Sequence, residues 1–343
     1  MDKKTRINKP IYLEHSSLKY PLPKALLFEL SQELKNINKY PSGGNYQELT
    51  ARFADYAAVS ADNVLPANGS DEVIEATTRA FGSKLILIPV PTFSQYETSA
   101  IRNGFKKKLI NCLSNYDYQL NYNDKDLKEA SLVWICNPNN PTGGPVSRGT
   151  IKDILNRASG MVVVDECNYE YLGETVADLI DEYPNLVISR SFSKNFGLAG
   201  LRLGFTLASP NNIKKISRYY QHFRVNKMAE VAGIRVLKYI DYYKAIWQEI
   251  ARVRELFIRG LYKIKISAFP SRTNFVLVDF ITRENTQHVW QYLREEGVYT
   301  FAAWGDEFSG LESHYIRFTI GNQLEMEYTL NLLEKYQKNI LNN

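Results

Sequence analysis

Short, almost continuously apolar runs alternate with amphipathic stretches through the middle of this chain. Five of these runs lie between residues 84 and 209: KLILIPV (84–90), SLVWIC (131–136), MVVVDE (161–166), NLVISR (185–190) and LRLGFTLAS (201–209). Strands with this pattern are covered on both faces, as in a parallel sheet between two layers of helices. The pattern therefore predicts an α/β fold with a mostly parallel central sheet.

The C-terminal third of the chain has a different pattern. A helical stretch over 227–263 carries apolar residues at spacings of three and four, which mark one buried face: Ile246, Ile250, Val253, Phe257 and Leu261. Two strands, NFVLVDF (274–280) and YIRFTIG (315–321), then flank a helical pattern over 286–297. This arrangement predicts a separate, smaller α+β unit.

These patterns divide the chain into three segments. Residues 1–40 are irregular and interrupted by prolines, and we expect them to pack with the small unit. A large domain over 41–262 follows, and a small C-terminal domain over 263–343 completes the chain. The small domain is thus expected to be built from both chain ends.

Composition excludes several classes of protein. The excess of 42 basic over 37 acidic residues gives a net charge of +5, which is too small to indicate a nucleic-acid partner. No apolar run approaches the roughly 18 residues of a membrane helix, and the first residues lack an apolar signal segment. We expect a cytoplasmic protein. Three cysteines without CxxC spacing and four scattered histidines predict no metal site.

Polar motifs follow the predicted strands, and an open α/β sheet binds its ligands at the edge where its strands end. In PANGSDEVIEA (66–76), Gly69 gives the backbone freedom, and Ser70 and Asp71 are candidate N-cap residues. A helix N-terminus attracts phosphate, although this composition also starts many ordinary helices. In CNPNNPTGG (136–144), asparagine side chains can donate to an anionic oxygen.

Two charged residues complete the set of strand-exit motifs. Asp165 ends an apolar strand, where a carboxylate needs a charged or hydrogen-bonded partner. Lys194 lies in SRSFSKNFGLAGLRLGF (189–205), and a lysine shielded from water near other cations has a lowered pKa and can attack a carbonyl. Arg202 can bind a phosphate through two N–H groups. One ligand, pyridoxal 5'-phosphate, needs all of these groups at once.

Three motifs in fixed order resemble those of one enzyme family: NPNNPTG (137–143), VVVDE (162–166) and SFSKNFGLAGLRLGF (191–205). The similarity extends from YPSGGNYQELTARFADY (40–56) to YIRFTIG (315–321). The chain resembles fold-type I pyridoxal-phosphate-dependent aminotransferases of the class I/II superfamily, and is most similar to histidinol-phosphate aminotransferases.

The resemblance implies roles for matching residues. Lys194 would bind the cofactor's aldehyde and then move a proton, and Asp165 would keep the pyridine nitrogen protonated. Asn140 would hydrogen-bond the phenolic oxygen, and Phe93 would stack on the ring. The phosphate would be surrounded by Gly69, Ser70, Asp71, Ser191, Ser193 and Arg202.

Two further implications concern partners. Tyr40 would reach the phosphate in the other subunit, which implies a homodimer with shared active sites. Arg317 would clamp the carboxylate of a small-molecule substrate, because a planar guanidinium matches two oxygens better than an ammonium does. The substrates would be an amino donor and a 2-oxo acid acceptor.

The chain departs from the family pattern at positions that concern the substrate. Asn168 stands where the family usually has tyrosine, so either its amide or the neighbouring Tyr169 would support the phenolic oxygen. The segment LEHSSLKYPLP (13–23) stands where the family commonly has an Asn/Glu/Pro-rich segment that closes over the substrate. Tyr328 stands where the family often has a further arginine, eleven residues after the carboxylate clamp.

The leading prediction is an aminotransferase that moves an amino group from an amino acid or amino-phosphate donor to a 2-oxo acid. One alternative is a decarboxylase resembling threonine-phosphate decarboxylases. The segment KYPLP (19–23) is distantly similar to the NPLG-like N-terminal segment of those enzymes. Another is a pyridoxal-phosphate enzyme acting on a basic amino acid, which Asn168 leaves open. A regulatory, non-catalytic version of the fold is disfavoured because about 40 residues before YPSGG are too few for a DNA-binding domain.

Overall fold

Sixteen strands and twelve α-helices are formed by residues 9–41, 44–304 and 307–341, the part of the chain that the computed structural model describes. Ser42 and Gly43 of the YPSGG motif lie outside these ranges. The helices are α1 (Lys24–Glu33), α2 (Gln47–Ala57), α3 (Gly69–Phe81), α4 (Gln95–Arg102), α5 (Asp124–Glu129), α6 (Arg148–Arg157), α7 (Tyr169–Leu172), α8 (Pro210–Ser217), α9 (Lys227–Val236), α10 (Ile240–Lys263), α11 (Arg283–Glu295) and α12 (Gln323–Leu341). The strands are β1 (Ile11–Leu13), β2 (Val64–Ala67), β3 (Leu85–Val90), β4 (Thr92–Phe93), β5 (Lys106–Asn111), β6 (Leu113–Ser114), β7 (Asp117–Tyr118), β8 (Ala130–Cys136), β9 (Met161–Asp165), β10 (Leu186–Ser191), β11 (Gly204–Ala208), β12 (Ser267–Ala268), β13 (Phe275–Asp279), β14 (Val298–Ala302), β15 (Phe308–Ser309) and β16 (Tyr315–Thr319).

The central sheet has seven strands in the order β2-β11-β10-β9-β8-β3-β5. Strands β10, β9, β8, β3 and β5 run parallel, whereas β11 is antiparallel to both of its neighbours, β10 and β2. Every strand except β11 therefore points the same way. The predicted α/β fold with a mostly parallel sheet is confirmed.

The two edge strands of this sheet are the ones that the hydrophobic pattern did not predict. β2 contains Pro66, which an edge strand tolerates because one of its sides forms no ladder. β5 begins with the lysines of residues 106–108, and most of its side chains are exposed. Charged side chains protect an open edge from pairing with another chain.

Apolar side chains fill both faces of the central sheet. Val133, Ile135 and Val164 belong to one buried cluster, which includes residues of α2, α6 and α9. Trp134 and Val163 belong to a second cluster with residues of α3, α4 and α8. Consecutive residues of a strand point to opposite faces, so these near-continuous apolar runs supply both layers.

A second sheet has five strands in the order β1-β14-β16-β13-β12. Its first strand comes from the N-terminal segment and runs parallel to β14. The expectation of an irregular N-terminal segment is wrong for residues 24–33, which form α1. Leu26 and Leu30 of this helix belong to the buried cluster that contains α2 and α9. The division at residues 40 and 262 stays a prediction.

Two element boundaries differ from the sequence prediction. The helical stretch 227–263 is interrupted by a 3₁₀ turn at Leu237–Tyr239, although the five residues of its predicted face are all buried. The strand predicted from residue 201 begins at Gly204, because a 3₁₀ turn at Ala199–Leu201 ends with Arg202 in the left-handed conformation at φ +54°. Among the described residues, no helix is both long and apolar enough to cross a membrane.

Candidate active site

A pocket lies at the edge of the central sheet where β8, β9 and β10 end. Parallel strands present their carboxyl ends at one edge, so residues far apart in sequence meet there. The pocket is lined by ten of the predicted site residues: Ser70, Asp71, Phe93, Asn140, Asp165, Asn168, Ser191, Ser193, Lys194 and Arg202. Gly69, Tyr40 and Arg317 are not among its lining residues.

Asp165 is buried at the end of β9, and both of its carboxylate oxygens accept a hydrogen bond. The hydroxyl of Tyr96 donates to Oδ2 at 2.6 Å, and the backbone N–H of Cys167 donates to Oδ1 at 3.0 Å. Burial raises the pKa of Asp165, and these donors oppose that shift. Tyr96 is fully buried and stacks on Trp134. The carboxylate is thus held in one orientation at the pocket.

Lys194 follows β10 and brings its amine into the same pocket, where the side chain is half-buried. Burial, and then the positive charge of Arg317, lower the pKa of this amine. The side chains of Leu18 and Leu22 lie close to Gly197, three residues further along the loop. The N-terminal segment therefore packs against the loop that carries Lys194.

Five residues converge at the N-terminus of α3. Arg202 donates to Asp71 Oδ2 at 2.7 Å and lies 3.5 Å from Ser193 Oγ. Gly69 has φ +75°, and a Cβ at this position would lie 2.9 Å from Arg202 Nη2. Ser191 Oγ accepts from the backbone N–H of Ser193 at 3.2 Å. Hydroxyls, a guanidinium and a helix N-terminus are groups that can bind an anion, and here the guanidinium pairs with the Asp71 carboxylate.

Arg317 lies behind the pocket on β16, and its side chain is 1% exposed. Its Nη1 donates to Asn140 Oδ1 at 2.8 Å, and its Nη2 donates to the carbonyl of Glu14 at 3.0 Å. Nη2 also forms an ion pair with Glu307 Oε1 at 3.1 Å. Asn140 and Glu307 both line the pocket, so the guanidinium is reached from the pocket past these two residues.

Asn168, directly before α7, and Phe93, in β4, both line the pocket. Asn168 precedes α7, is 5% exposed, and its Oδ1 has no hydrogen-bond partner among the described residues. Buried polar atoms are normally paired, so an unpaired amide oxygen at this position is unusual. Phe93 makes an edge-to-face contact with Tyr96, with ring centroids 6.0 Å apart.

Tyr40 lies apart from the pocket of its own chain. Its side chain is 77% exposed, and it stacks on the exposed Phe223 with ring centroids 4.5 Å apart. Nothing in the geometry of one chain brings this hydroxyl to the site.

A buried ion pair lies next to the strand ends that form the pocket. Glu166 and Arg190 are buried neighbours of the strand ends, and Arg190 Nη2 lies 2.7 Å from Glu166 Oε2. Glu166 also accepts from the Thr175 hydroxyl and the Val176 N–H, and the Tyr169 ring lies 3.5 Å from the Arg190 guanidinium carbon. Tyr169 is therefore engaged by Arg190 and is not among the pocket-lining residues.

The sequence reasoning missed four ionisable residues of the pocket. Tyr96, Cys136, Cys167 and Glu307 line it, but only Cys136 and Cys167 adjoin predicted strand-exit motifs. Burial raises the pKa of the Cys136 thiol to about 12, and it raises the Cys167 pKa well above its usual value, so neither is a thiolate at neutral pH. Tyr96 follows Phe93 by only three residues, and this short spacing is a signal that could have located it.

The sequence of this chain is similar to those of a known enzyme family. The sequence model of the aminotransferase class I and II family matches residues 7–333. The histidinol-phosphate aminotransferase of Thermoanaerobacter pseudethanolicus is 32% identical over 326 residues, which is 92% of this chain and 90% of that protein. That of Methanocaldococcus jannaschii is 28% identical, over 92% of this chain and 86% of its own length.

Solved structures have the same fold. The histidinol-phosphate aminotransferase of Clostridium acetobutylicum superposes with a TM-score of 0.86 at 26% identity, covering 96% of this chain and 99% of that one. The L-threonine-O-3-phosphate decarboxylase of Porphyromonas gingivalis gives a TM-score of 0.85 at 23% identity with the same coverage, a likeness of fold alone. The chain is therefore a fold-type I aminotransferase and belongs to the aminotransferase class I and II family.

Proposed function

We propose that this enzyme binds pyridoxal 5'-phosphate in the pocket and transfers an amino group from a small amino donor to a 2-oxo acid. The observation that carries the proposal is the placement of the Lys194 amine and the Asp165 carboxylate in one pocket at the carboxyl edge of the sheet. Family membership implies the cofactor. The assignment of individual residues to it rests on the site geometry.

Two features of the pocket fit this cofactor. The close approach of Gly69 to Arg202 leaves a cradle that a Cβ would fill, beside the hydroxyl of Ser193 and the N-terminus of α3. A phosphate dianion suits this group of donors. The Oδ1 of Asn168 has no hydrogen-bond partner among the described residues and could accept a hydrogen bond from a bound group.

Bound pyridoxal phosphate supplies an aldehyde that takes up amino groups and a ring that accepts an electron pair. Asp165, whose carboxylate is hydrogen-bonded by Tyr96 and the Cys167 N–H, would supply the negative charge that keeps the ring nitrogen protonated. Asn140 has its Oδ1 occupied by Arg317, which directs its amide N–H groups to donate elsewhere. In the proposed complex they would donate to the phenolic oxygen.

Lys194 is suited to holding and moving a proton. Its lowered pKa increases the fraction of neutral amine near pH 7, and a neutral amine is both a nucleophile and a base. In the proposed reaction it takes the proton from the substrate's α-carbon and delivers it to the cofactor's carbonyl carbon. Lys194 is the only lysine among the residues that line the described pocket.

The proposed donor is an amino acid or an amino-phosphate. The similar proteins that are named for histidinol phosphate support an amino-phosphate donor, since the match covers nine-tenths of this chain. Arg317, reached past Asn140 and Glu307, is the proposed group for a substrate carboxylate. An acceptor 2-oxo acid carries such a carboxylate.

We further propose a homodimer in which Tyr40 reaches the phosphate of the partner's site. Exposed apolar side chains lie near Tyr40 in the sequence and support such an interface: Phe28, Leu34 and Ile37 are each more than half exposed. Burying such side chains against a second copy is favourable. Sedimentation of the wild type and of Phe28→Asp tests the interface, and a monomeric wild type would contradict it.

The function is tested by the absorption spectrum of the cofactor-loaded protein as single amino donors are added without any 2-oxo acid. The panel comprises histidinol phosphate, glutamate, arginine and threonine phosphate. Loss of the bound aldehyde's band and gain of the pyridoxamine phosphate band is the expected result with at least one donor, and Lys194→Ala should show no such conversion. Release of carbon dioxide or hydrogen peroxide without conversion would contradict amino transfer.

A further inference from the structure

The proposed carboxylate clamp is already engaged by a carboxylate of its own chain. Arg317 Nη2 pairs with Glu307 Oε1 at 3.1 Å, and its Nη1 donates to Asn140. The rings of Phe275, Phe301 and Phe308 lie 4.9 to 5.3 Å from the guanidinium carbon. Apolar rings cannot accept hydrogen bonds as carboxylates do, so Glu307 provides the countercharge of this buried cation.

Glu307 stands between Arg317 and the pocket. It is a pocket-lining residue together with Asn140, whereas Arg317 is not. A substrate carboxylate that enters from the pocket therefore meets Glu307 before it meets the guanidinium. Two carboxylates at one guanidinium carry a net negative charge, which is unfavourable in a poorly solvated place.

The carbonyl of Glu307 is hydrogen-bonded, while its side chain keeps access to water. Its carbonyl accepts from the Ser94 N–H at 2.9 Å, and the short ladder between β15 and β4 begins at the next residue. The side chain is 26% exposed. The Glu307 side chain is therefore less buried than that of its partner Arg317, which is 1% exposed.

We propose that Glu307 is a specificity-determining residue that competes with the substrate carboxylate for Arg317. The competition disfavours ligands that depend on a carboxylate contact relative to amino donors that lack an α-carboxylate, such as a phosphorylated amino alcohol. A donor of the second kind leaves the Glu307–Arg317 pair in place. A 2-oxo acid has to displace Glu307. This inference rests on the proposed function only in taking Arg317 as the clamp.

Calorimetric titration of the cofactor-loaded enzyme with 3-phenylpropanoate tests the competition without any turnover. This probe is a monocarboxylate with no amino group to transfer. Glu307→Gln removes the competing charge, and we expect about tenfold tighter binding, which corresponds to about 1.4 kcal/mol. Glu312→Gln is the matched control, because Glu312 lies in the same segment but its side chain is 80% exposed and bonds His314. Its affinity for the probe should equal that of the wild type.

Kinetic selectivity supplies a second readout. The kcat/KM for a carboxylate-bearing donor should rise in Glu307→Gln relative to the kcat/KM for a phosphorylated amino alcohol. Equal changes for both donors, or unchanged or weaker binding of 3-phenylpropanoate, would overturn the proposal. Because the amide that Glu307→Gln introduces could itself bond Arg317, the titration is repeated with Glu307→Ala, which should also bind the probe more tightly. Absence of amino transfer in every variant would instead count against the proposed function, since calorimetry does not depend on it.

Discussion

Replacing Tyr96 by phenylalanine removes one of the two hydrogen bonds that hold the Asp165 carboxylate. The hydroxyl donates at 2.6 Å to a buried charged group, and Tyr96 is itself fully buried in the apolar cluster of one sheet face. Water is therefore poorly placed to replace the lost donor. Asp165 is the charged group that the loss affects most directly.

The size of the effect follows from this geometry. A hydrogen bond to a charged group contributes about 1.5–3 kcal/mol, and about 1.4 kcal/mol corresponds to one pKa unit. The Tyr96 hydroxyl stabilises the ionised form of Asp165 and so opposes the rise in pKa that burial causes. Its removal should raise the pKa of Asp165 further, by about one to two units.

The assay is the pH dependence of kcat/KM, which reports groups of the free enzyme. In the proposed mechanism Asp165 works as a carboxylate, so activity should be lost as pH falls through its pKa. The acid limb of Tyr96→Phe should therefore lie about one to two pH units higher than that of the wild type. Tyr243→Phe is the matched control, because Tyr243 is also fully buried but its hydroxyl has no hydrogen-bond partner among the described residues. An acid limb that stays in place in Tyr96→Phe would refute the reasoning.

Three further substitutions test other parts of the site. Gly69→Ala places a Cβ 2.9 Å from Arg202 Nη2 at a residue with left-handed backbone geometry. The affinity for the cofactor, measured by fluorescence titration, should fall about tenfold. An affinity equal to that of the wild type would show that Gly69 is not needed for phosphate binding. Glu166→Gln leaves the buried Arg190 without its countercharge and should lower the free energy of unfolding in urea by about 3–5 kcal/mol; a loss below about 1 kcal/mol would show that the pair is not stabilising. Arg317→Lys should weaken 2-oxo acid binding by about 1–3 kcal/mol because an ammonium lacks the paired N–H fork, and an unchanged inhibition constant would remove Arg317 from the substrate site.

The parts of the fold that the sequence predicted are those with a strong local pattern. Five apolar runs became central strands because each is buried on both faces. β2 was missed because it is short and contains Pro66, and β5 because its three lysines make an exposed edge look like a polar segment. The helix α1 was missed because prolines before it suggested an irregular segment.

The site residues that the sequence predicted also differ in position from those that it did not. Lys194, Asp165 and Asn140 could be predicted to meet because each lies at or shortly after the end of a strand, and parallel topology places strand ends together; all three line the pocket. Tyr96 lies in the helix α4 and Glu307 in the short segment before β15, so neither lies at the end of a strand of the central sheet. Their importance depends on single contacts, to Asp165 and to Arg317, which exist only after the chain has folded.

The most direct test of the account is to locate the lysine that binds the cofactor. The protein loaded with pyridoxal phosphate is reduced with borohydride, which makes the carbon–nitrogen bond permanent, and is then digested and mapped by mass spectrometry. The account predicts one phosphopyridoxyl group, on Lys194, and none in a sample without cofactor. A label on any other lysine, or no label in a protein that has taken up the cofactor, would contradict it.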